Sequence, residues 1–377
     1  MGLDLKAGEK QLPQNTQLEI SLIGTGGGYG ESVVIHLGYN NWIVVDSCVD
    51  PFTKRSIPLD YLLSRGVDIA NDVKMIICTH WHDDHIKGIS QLLEKSQNAM
   101  MSMSACTGQS QFCQFVELDY LKVENNPSNS TTEEIEACLN LLKKRKSPIK
   151  KASQDKLLYS LKNSININVF SLSPSDYVIQ QFDYEISELF EMCNPDVRIP
   201  PETQNDKSVA LLIEANGNCV LLGADLEVST NREKGWMCIL DKCQCLSKQS
   251  SLFKIPHHGS ITGYHQQIWN DLLTSNVTGI LTPYNRGKNI LPDYDMINKF
   301  LNHTEYLYIT SDIGISRSAK KRNNDIKKMA EQFNNTVQEV KFNSGIIKCT
   351  LDIGIDNPQW NIDLIGTAKQ LAIKNCI

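Results

Sequence analysis

The densest group of potential metal ligands in this sequence is the segment Thr79-His-Trp-His-Asp-Asp-His85, which holds three of the chain's 8 histidines. Imidazoles and carboxylates packed this closely would be costly to bury without a cation to compensate them. His80 and His82 alternate along an extended segment and therefore point the same way. A turn at Asp84 and His85 can direct a second pair of ligands at a neighbouring ion. The segment therefore predicts a metal site with room for two ions.

The elements around this segment are predicted to be strands that end at the site. Residues 73–79 form a short apolar run, typical of a strand buried on both faces. Before it, β-branched residues bounded by Gly and Asn predict strands at 17–23, 32–37 and 42–46, and a helix covers 59–65. Further strands are predicted at 165–172, 208–214, 219–225, 252–258, 278–282, 306–310, 346–353 and 360–365. Two β-rich halves with helices between them indicate two packed sheets covered outside by helices.

The stretch 101–205 differs in composition, because Ser, Asn, Gln and Lys dominate it. Helices are predicted at 130–146 and 176–192. The stretch contains no large apolar periodic set of its own. We therefore interpret it as a largely helical insertion within a single domain that spans residues 1–377.

Two later strands also end in potential ligands, Asp225 in the first and the pair His257 and His258 in the second. Together with a strand ending in Asp46 and the HxHxDH motif at 80–85, they occur in the order typical of the metallo-β-lactamase superfamily. The chain resembles that superfamily from about residue 17 to 315. The resemblance implies an α/β fold, a four-layer αββα sandwich.

A narrower resemblance is to the branch that includes the hydrolase domain of bacterial DNA-uptake competence proteins and the phosphorylcholine esterases. The segments that carry it begin at Gly28 (GYGESVVI), Asn205 (NDKSVALL), Gly223 (GADLE) and His257 (HHGS). In that branch an Asn near Asn205 replaces a separate third-motif histidine, and this chain has no histidine between His85 and His257. The chain departs from the branch at His82, where Asp is frequent, and at Leu291-Pro292, where His-Pro is expected.

The resemblance implies two groups of ligands. One ion is expected on His80, His82 and Asp225, and the second on Asp84, His85, Asp225 and His258. Imidazole and carboxylate ligands suit Zn²⁺, and Mn²⁺ or Fe are alternatives. Two ions about 3.5–4 Å apart can share a hydroxide, because metal binding lowers the pKa of water towards about 7. A bridging hydroxide is the expected nucleophile.

His257 is expected to face the substrate, where it would stabilise an anionic oxygen or protonate a leaving group. The reverse assignment, with His257 on the metal and His258 on the substrate side, stays open. Three further residues could donate hydrogen bonds to phosphate oxygens, namely Asn205, Ser260 and Lys87. Each of these residues could instead have a purely structural role. The expected catalytic residues are thus His257, Asp84 and Asn205.

Charge and composition limit the partners. The formal net charge is −6, so binding of nucleic acid would require a local basic surface. Basic tracts occur at 143–146 with 150–151 and at 317–328, and a solvated helix face is the simpler interpretation of each. The chain has no signal-peptide pattern and no run of about 18 apolar residues, which predicts a cytoplasmic protein without a membrane span.

Three functional hypotheses follow. The leading one is hydrolysis of a phosphoester or phosphodiester, either a small molecule or a nucleic acid. The second is hydrolysis of an ester, lactone, thioester or β-lactam at the same site. The third is a subunit of a larger assembly, such as a bacterial antiviral defence complex, which docks a protein partner through 101–205 and has partner-dependent activity.

Overall fold

The computed structural model describes residues 5–25, 29–107, 131–191, 205–286, 290–313 and 344–372. One eight-stranded sheet contains β1 (Gln17–Gly24), β2 (Glu31–Leu37), β3 (Trp42–Val45), β4 (Val73–Cys78), β5 (Met100–Ser104), β6 (Lys150–Ala152), β14 (Gly345–Asp352) and β15 (Asn361–Ile365). The other contains β7 (Lys156–Lys162), β8 (Asn166–Ser171), β9 (Leu211–Ala215), β10 (Asn218–Leu222), β11 (Ser250–Lys254), β12 (Leu273–Leu281), β13 (Leu307–Ile309) and β16 (Lys369–Leu371). The described α-helices are α1 (Ile57–Ser64), α2 (Ile69–Asp72), α3 (Asp83–Ile86), α4 (Ile89–Lys95), α5 (Thr131–Arg145), α6 (Asp176–Glu191), α7 (Gly235–Lys242) and α8 (Tyr294–Leu301).

The strand order is β15-β14-β1-β2-β3-β4-β5-β6 in the first sheet and β16-β13-β12-β11-β10-β9-β8-β7 in the second. Strands β3 to β6 run parallel to one another, and so do β10 to β13. The carboxyl ends of parallel strands meet at one edge of a sheet, which is where ligands bind in open α/β sheets. Both sheets therefore bring the loops that follow their parallel strands to such an edge.

The core has three apolar layers, which makes the molecule a four-layer αββα sandwich as predicted. The middle layer lies between the two sheets. A second layer lies between the first sheet and helices α1 to α6, and a third lies between the second sheet and α7 and α8. The period of two along β1 explains this division, because Leu18, Ile20 and Leu22 face the middle layer. Glu19 faces the helices and pairs with buried Arg65 at 2.5 Å.

The stretch 101–205 differs in one respect from its interpretation as a helical insertion. Helices α5 and α6 are present as predicted, but β5 and β6 extend the first sheet, and β7 and β8 extend the second. Strand β5 was missed because it consists of Met and Ser, which lack the β-branched signal. Its Met101 and Met103 are nevertheless buried. Part of this stretch therefore belongs to the two sheets, and the assignment of a single domain stays a prediction.

The two sheets approach each other closely where β1 and β14 pair Gly24 with Gly345. A Cβ atom on Gly345 would lie 1.7 Å from the carbonyl oxygen of Thr310, and one on Gly24 would lie 2.3 Å from its Oγ1. Only glycine leaves space for this contact, because Thr310 follows β13 of the opposite sheet.

No helix among the described residues is long and apolar enough to cross a membrane.

Candidate metal centre

The candidate site lies beyond the ends of two pairs of neighbouring parallel strands. In the first sheet, Asp46 follows β3 and the motif His80–His85 follows β4. In the second sheet, Asp225 follows β10, and His257 and His258 follow β11. The site therefore takes side chains from both sheets.

The alternation predicted for His80 and His82 is present. Between them, Trp81 turns towards the helical layer, where its ring centroid lies 5.8 Å from that of Phe182 in α6. Because Trp81 is held there, both histidines lie on the opposite side of the segment, with His80 Nε2 and His82 Nδ1 3.1 Å apart. These two residues form one potential metal-binding group with Asp225.

The second potential group consists of Asp84, His85 and His258. His258 Nε2 lies 3.2 Å from Asp84 Oδ2. Asp225 Oδ2 lies between the two groups, at 3.9 Å from His80 Nε2, 3.3 Å from His85 Nε2 and 3.6 Å from His258 Nε2. The structure thus brings together all six residues predicted as ligands, with Asp225 in the position of a bridge.

The chemistry of the donor atoms fits divalent metal ions. His85 Nε2, His258 Nε2 and Asp225 Oδ1 are buried and make no hydrogen bond of good geometry among the described residues, although carboxylate oxygens lie 3.2–3.3 Å from the two nitrogens. An unsatisfied buried polar atom costs about 1–3 kcal/mol, so three together require compensation. Cations coordinated by imidazole nitrogen and carboxylate oxygen would supply it.

Neighbouring side chains set which nitrogen of each ring faces the site. Asp46 Oδ2 lies 2.8 Å from His85 Nδ1, and Asp46 also accepts hydrogen bonds from Thr79 N at 2.8 Å and Thr79 Oγ1 at 2.7 Å. Thr282 Oγ1 lies 3.1 Å from His258 Nδ1. In both histidines Nδ1 is therefore engaged, and Nε2 is directed towards Asp225, as is usual for histidines that bind metals.

A buried ion pair that the sequence analysis missed lies directly behind these ligands. Lys254 and Glu31 are 1% and 2% exposed and form an ion pair. Lys254 Nζ also donates to Ala224 O at 3.1 Å and lies 3.9 Å from Asp225 Oδ1. Glu31 accepts a hydrogen bond from Thr282 Oγ1, the group that contacts His258. The pair therefore connects two of the predicted ligands.

The electrostatics keep both members of this pair charged. Burial by itself would raise the pKa of Glu31, but Lys254, His85 and His258 together outweigh burial and hold that pKa below its usual value. Burial would lower the pKa of Lys254, and Glu31 and Asp225 together raise it above its usual value. The sequence contained a signal for this pair. Glu31 and Lys254 are charged residues in strands whose other residues are mostly apolar or small.

His257 has different surroundings from His258. Its Nδ1 lies 2.8 Å from Glu227 Oε1 and 2.9 Å from Thr262 Oγ1, and its Nε2 lies 3.4 Å from the Asn205 amide nitrogen. Asn205 also donates to Glu227 at 3.1 Å and is not among the potential metal-binding groups of the described residues. Among the described residues, His258 therefore belongs to a potential metal-binding group and His257 does not.

Glu227, also absent from the predicted set, is the group that orients His257. Burial by itself would raise the pKa of the Glu227 carboxyl, but hydrogen bonds from His257 and Asn205 hold it below its usual value. A carboxylate in this position favours a proton on His257 Nδ1.

An open cleft of about 610 Å³ leads to the candidate ligands. Ser260, Thr262, Tyr29, Tyr284 and Leu291 contribute to its walls. Lys87 does not line this cleft; it lines a neighbouring cavity of about 130 Å³, and it pairs with Asp83 at 2.5 Å.

The predicted basic tracts are not part of either cavity in the region that the structure describes. None of residues 143–146 or 150–151 lines the cleft or the smaller cavity. The tract 317–328 lies outside the described residues. The basic residues near the site come from other segments.

Comparisons with known proteins give a match to one family over part of the chain. The family model described as the metallo-beta-lactamase superfamily matches residues 25–100, which include Asp46 and the whole His80–His85 motif. No curated protein matches the chain.

Several solved structures are similar at low sequence identity. The metallo-beta-lactamase fold protein YhfI from Bacillus subtilis is 15% identical, over 63% of this chain and 69% of its own, with a TM-score of 0.32. MEM-A1, a subclass B3 metallo-beta-lactamase from a soil metagenome library, is 12% identical, over 67% and 83%, with a TM-score of 0.33. A metallo-beta-lactamase from Cronobacter sakazakii is 12% identical, over 62% and 73%, with a TM-score of 0.32.

Residues 25–100 of this chain are thus similar to the metallo-beta-lactamase superfamily, whose members are mostly metal-dependent hydrolases.

Proposed function

We propose that this protein is a hydrolase of phosphoesters or phosphodiesters that works with two divalent metal ions, Zn²⁺ in the first place. The observation that carries the proposal is the position of Asp225 Oδ2, which lies within 3.9 Å of Nε2 in three histidines drawn from both ligand groups. A carboxylate shared between two groups suits a pair of ions a few ångströms apart. Such a pair would supply an activated water and stabilise the charge of an in-line displacement.

The residues of the chain itself supply the remaining functions. His257, held at Nδ1 by Glu227 and Thr262, can carry a proton on Nε2 to the leaving oxygen of the substrate. Asn205 and Ser260, beside His257, are the proposed hydrogen-bond donors to a phosphoryl oxygen.

Two arguments favour phosphoesters over carboxylic esters as substrates. One is the suitability of two metal ions for phosphoryl transfer, and the other is the resemblance to the competence-protein and phosphorylcholine-esterase branch. Two metal ions are suited to clamp the attacking and leaving oxygens of a phosphoryl group. Cytoplasmic location and a protein partner for 101–205 remain predictions.

The experiment that tests this proposal measures metal content by mass spectrometry together with hydrolysis of bis(p-nitrophenyl) phosphate. We expect two metal ions per chain in the wild type. Asp84→Ala should lose one of them and the activity, because Asp84 lies 3.2 Å from His258 in the second group. Asp83→Ala is the matched control for metal content, since Asp83 is the adjacent carboxylate and lies outside the ligand groups among the described residues.

Three results would contradict the proposal. Absence of metal from the wild type would overturn the metal site. Two metals with cleavage of a thioester or lactone and no cleavage of phosphoesters would replace the substrate class. Equal metal content in Asp84→Ala and wild type would remove Asp84 from the ligand set.

A further inference from the structure

A small cavity lies beside the candidate metal centre and shares a wall with the cleft. Its volume is about 130 Å³, and Tyr29, Asp83 and Asp84 line both spaces. Three cationic side chains from three separate segments also line it, namely Lys54, Lys87 and Arg286. We call this cavity the cation pocket.

The loop that carries Lys54 is held in place at its backbone. Lys54 N donates to Asp50 O at 2.9 Å, and Lys54 O accepts from Gln91 Nε2 at 2.9 Å. Lys54 has a positive φ of 59°, a strained conformation for a residue with a side chain. These contacts hold the base of the Lys54 side chain at the rim of the cation pocket.

Arg286 lines the pocket from a different segment of the chain. Its guanidinium carbon lies 4.1 Å from the centroid of the Tyr29 ring, a cation–π contact that orients the planar group. Because Tyr29 lines both the pocket and the cleft, Arg286 lies at the boundary between them.

The side chains that line the pocket carry a net positive charge when the predicted metal ligand Asp84 is not counted. Lys87 is neutralised by Asp83 at 2.5 Å. Lys54 and Arg286 form no ion pair with a carboxylate in the part of the chain that the structure describes, and Asp84 is directed to the metal centre at 3.2 Å from His258 Nε2. Two cations are therefore left to attract an anion from solution.

From this arrangement we infer that the cation pocket binds a second phosphate group of the substrate, one that is not cleaved. The inference rests on the proposed function and narrows it to phosphoesters that carry a further phosphate next to the scissile one. The volume, about ten times what one water requires, accommodates a phosphate group. Arginine binds phosphate through two parallel hydrogen bonds, and lysine adds a point charge.

The first test measures binding and not turnover. Inorganic pyrophosphate and inorganic phosphate are titrated calorimetrically into metal-loaded wild type and into the double variant Lys54→Ala/Arg286→Gln. We expect the affinity for pyrophosphate to fall about tenfold or more in the double variant, the loss of one or two charge-assisted hydrogen bonds. The affinity for inorganic phosphate should fall less, because a single phosphate group cannot occupy the metal centre and the cation pocket at the same time.

Arg55→Gln is the matched control. Arg55 is the next residue of the same loop, is 61% exposed at its side chain, and pairs with Asp60 away from the pocket. It should bind pyrophosphate as the wild type does. An equal loss in Arg55→Gln would show that the effect is one of general surface charge and would overturn the inference.

The second test uses a thymidine dinucleotide without a terminal phosphate, with a 5′-phosphate, or with a 3′-phosphate. One phosphorylated form should have the lowest KM with the wild type, and that advantage should disappear in the double variant. The inference is overturned if neither pyrophosphate nor either phosphorylated dinucleotide distinguishes the double variant from the wild type. Failure of the proposed function would instead appear as no hydrolysis of any of the three dinucleotides, while the calorimetry still reports on the pocket.

Discussion

At the scale of single residues, the candidate metal centre depends on side chains that hold the predicted ligands in place but are not themselves predicted ligands. Asp46 is 3% exposed and receives three hydrogen bonds, from Thr79 N, Thr79 Oγ1 and His85 Nδ1. This network leaves one orientation for the His85 ring. The affinity of the site for metal should therefore depend on residues behind the ligands.

Asp46→Asn tests this dependence. The amide can accept fewer of the three hydrogen bonds, so His85 should lose its fixed orientation. We expect metal affinity to fall about 10–100-fold, as is typical when such an outer partner is changed. Competition with a chelating dye measures it, and Asp50→Asn, a carboxylate in the following loop, is the control. Unchanged affinity in Asp46→Asn would mean that His85 is positioned by packing alone.

Removing only one charge of the Glu31–Lys254 ion pair should destabilise the protein more than removing both charges. Lys254→Met leaves the buried Glu31 carboxylate uncompensated, and we expect a loss of about 3–5 kcal/mol in the free energy of unfolding. Urea denaturation of metal-free protein measures this without a contribution from bound metal.

The double variant Glu31→Gln/Lys254→Met is the internal control, because it removes both charges together. It should recover a substantial part of the loss, since paired buried charges are often replaced at little cost. A loss below about 1 kcal/mol in Lys254→Met would contradict the description of this pair as fully buried and mutually compensating.

At the scale of an element, β2 contains a histidine that makes folding sensitive to acid. His36 is 0% exposed, its Nδ1 donates to Gln17 O at 2.9 Å, and its ring lies 4.8 Å from that of Trp42. Burial lowers the pKa of His36 from 6.5 to about 4. The neutral ring therefore belongs to the folded state.

The sign of the pH dependence follows from this shift. Between about pH 6.5 and pH 4 the unfolded chain binds a proton at His36 and the folded chain does not, so stability falls as the pH falls through that window. His36→Leu should remove this component, on the order of 3 kcal/mol over the window. Urea unfolding at several pH values measures the free energy of unfolding of both proteins. Taking the difference between the wild type and His36→Leu cancels the contribution of the histidines at the metal centre. Parallel pH profiles from 4 to 6.5 would refute the assignment.

At the scale of the whole molecule, the candidate metal centre joins the two sheets. Asp84 and His85 follow a strand of the first sheet, whereas Asp225 and His258 follow strands of the second. Bound metal should therefore stabilise the sandwich as a unit. Free metal at 100 times its Kd contributes about 2.7 kcal/mol.

Removal of metal should accordingly lower the Tm. Calorimetric scans with and without a chelator measure the shift, which should be large in the wild type and absent in Asp225→Ala. A chelator-induced shift of equal size in Asp225→Ala would place the stabilising metal at another site.

The sequence by itself determined those features that depend on neighbours along the chain. The geometry of an extended chain accounts for three of these features, and the structure agrees with them. They are the alternation of His80 and His82, the acidic ends of two strands and the period-two pattern of β1. Strands without a β-branched signal, such as β5, escaped detection because their burial depends on partners distant in the sequence.

Only the tertiary structure decided which distant residues meet. Glu31 and Lys254 are on different sheets, and their pairing requires both sheets to pack with these strands opposed. The different surroundings of the consecutive residues His257 and His258 likewise arise from contacts with Glu227 on one side and Asp84 on the other. The cation pocket draws its charges from three segments. Local spacing fixes the direction of a side chain along its own strand, whereas the packing of the sheets determines what that side chain meets.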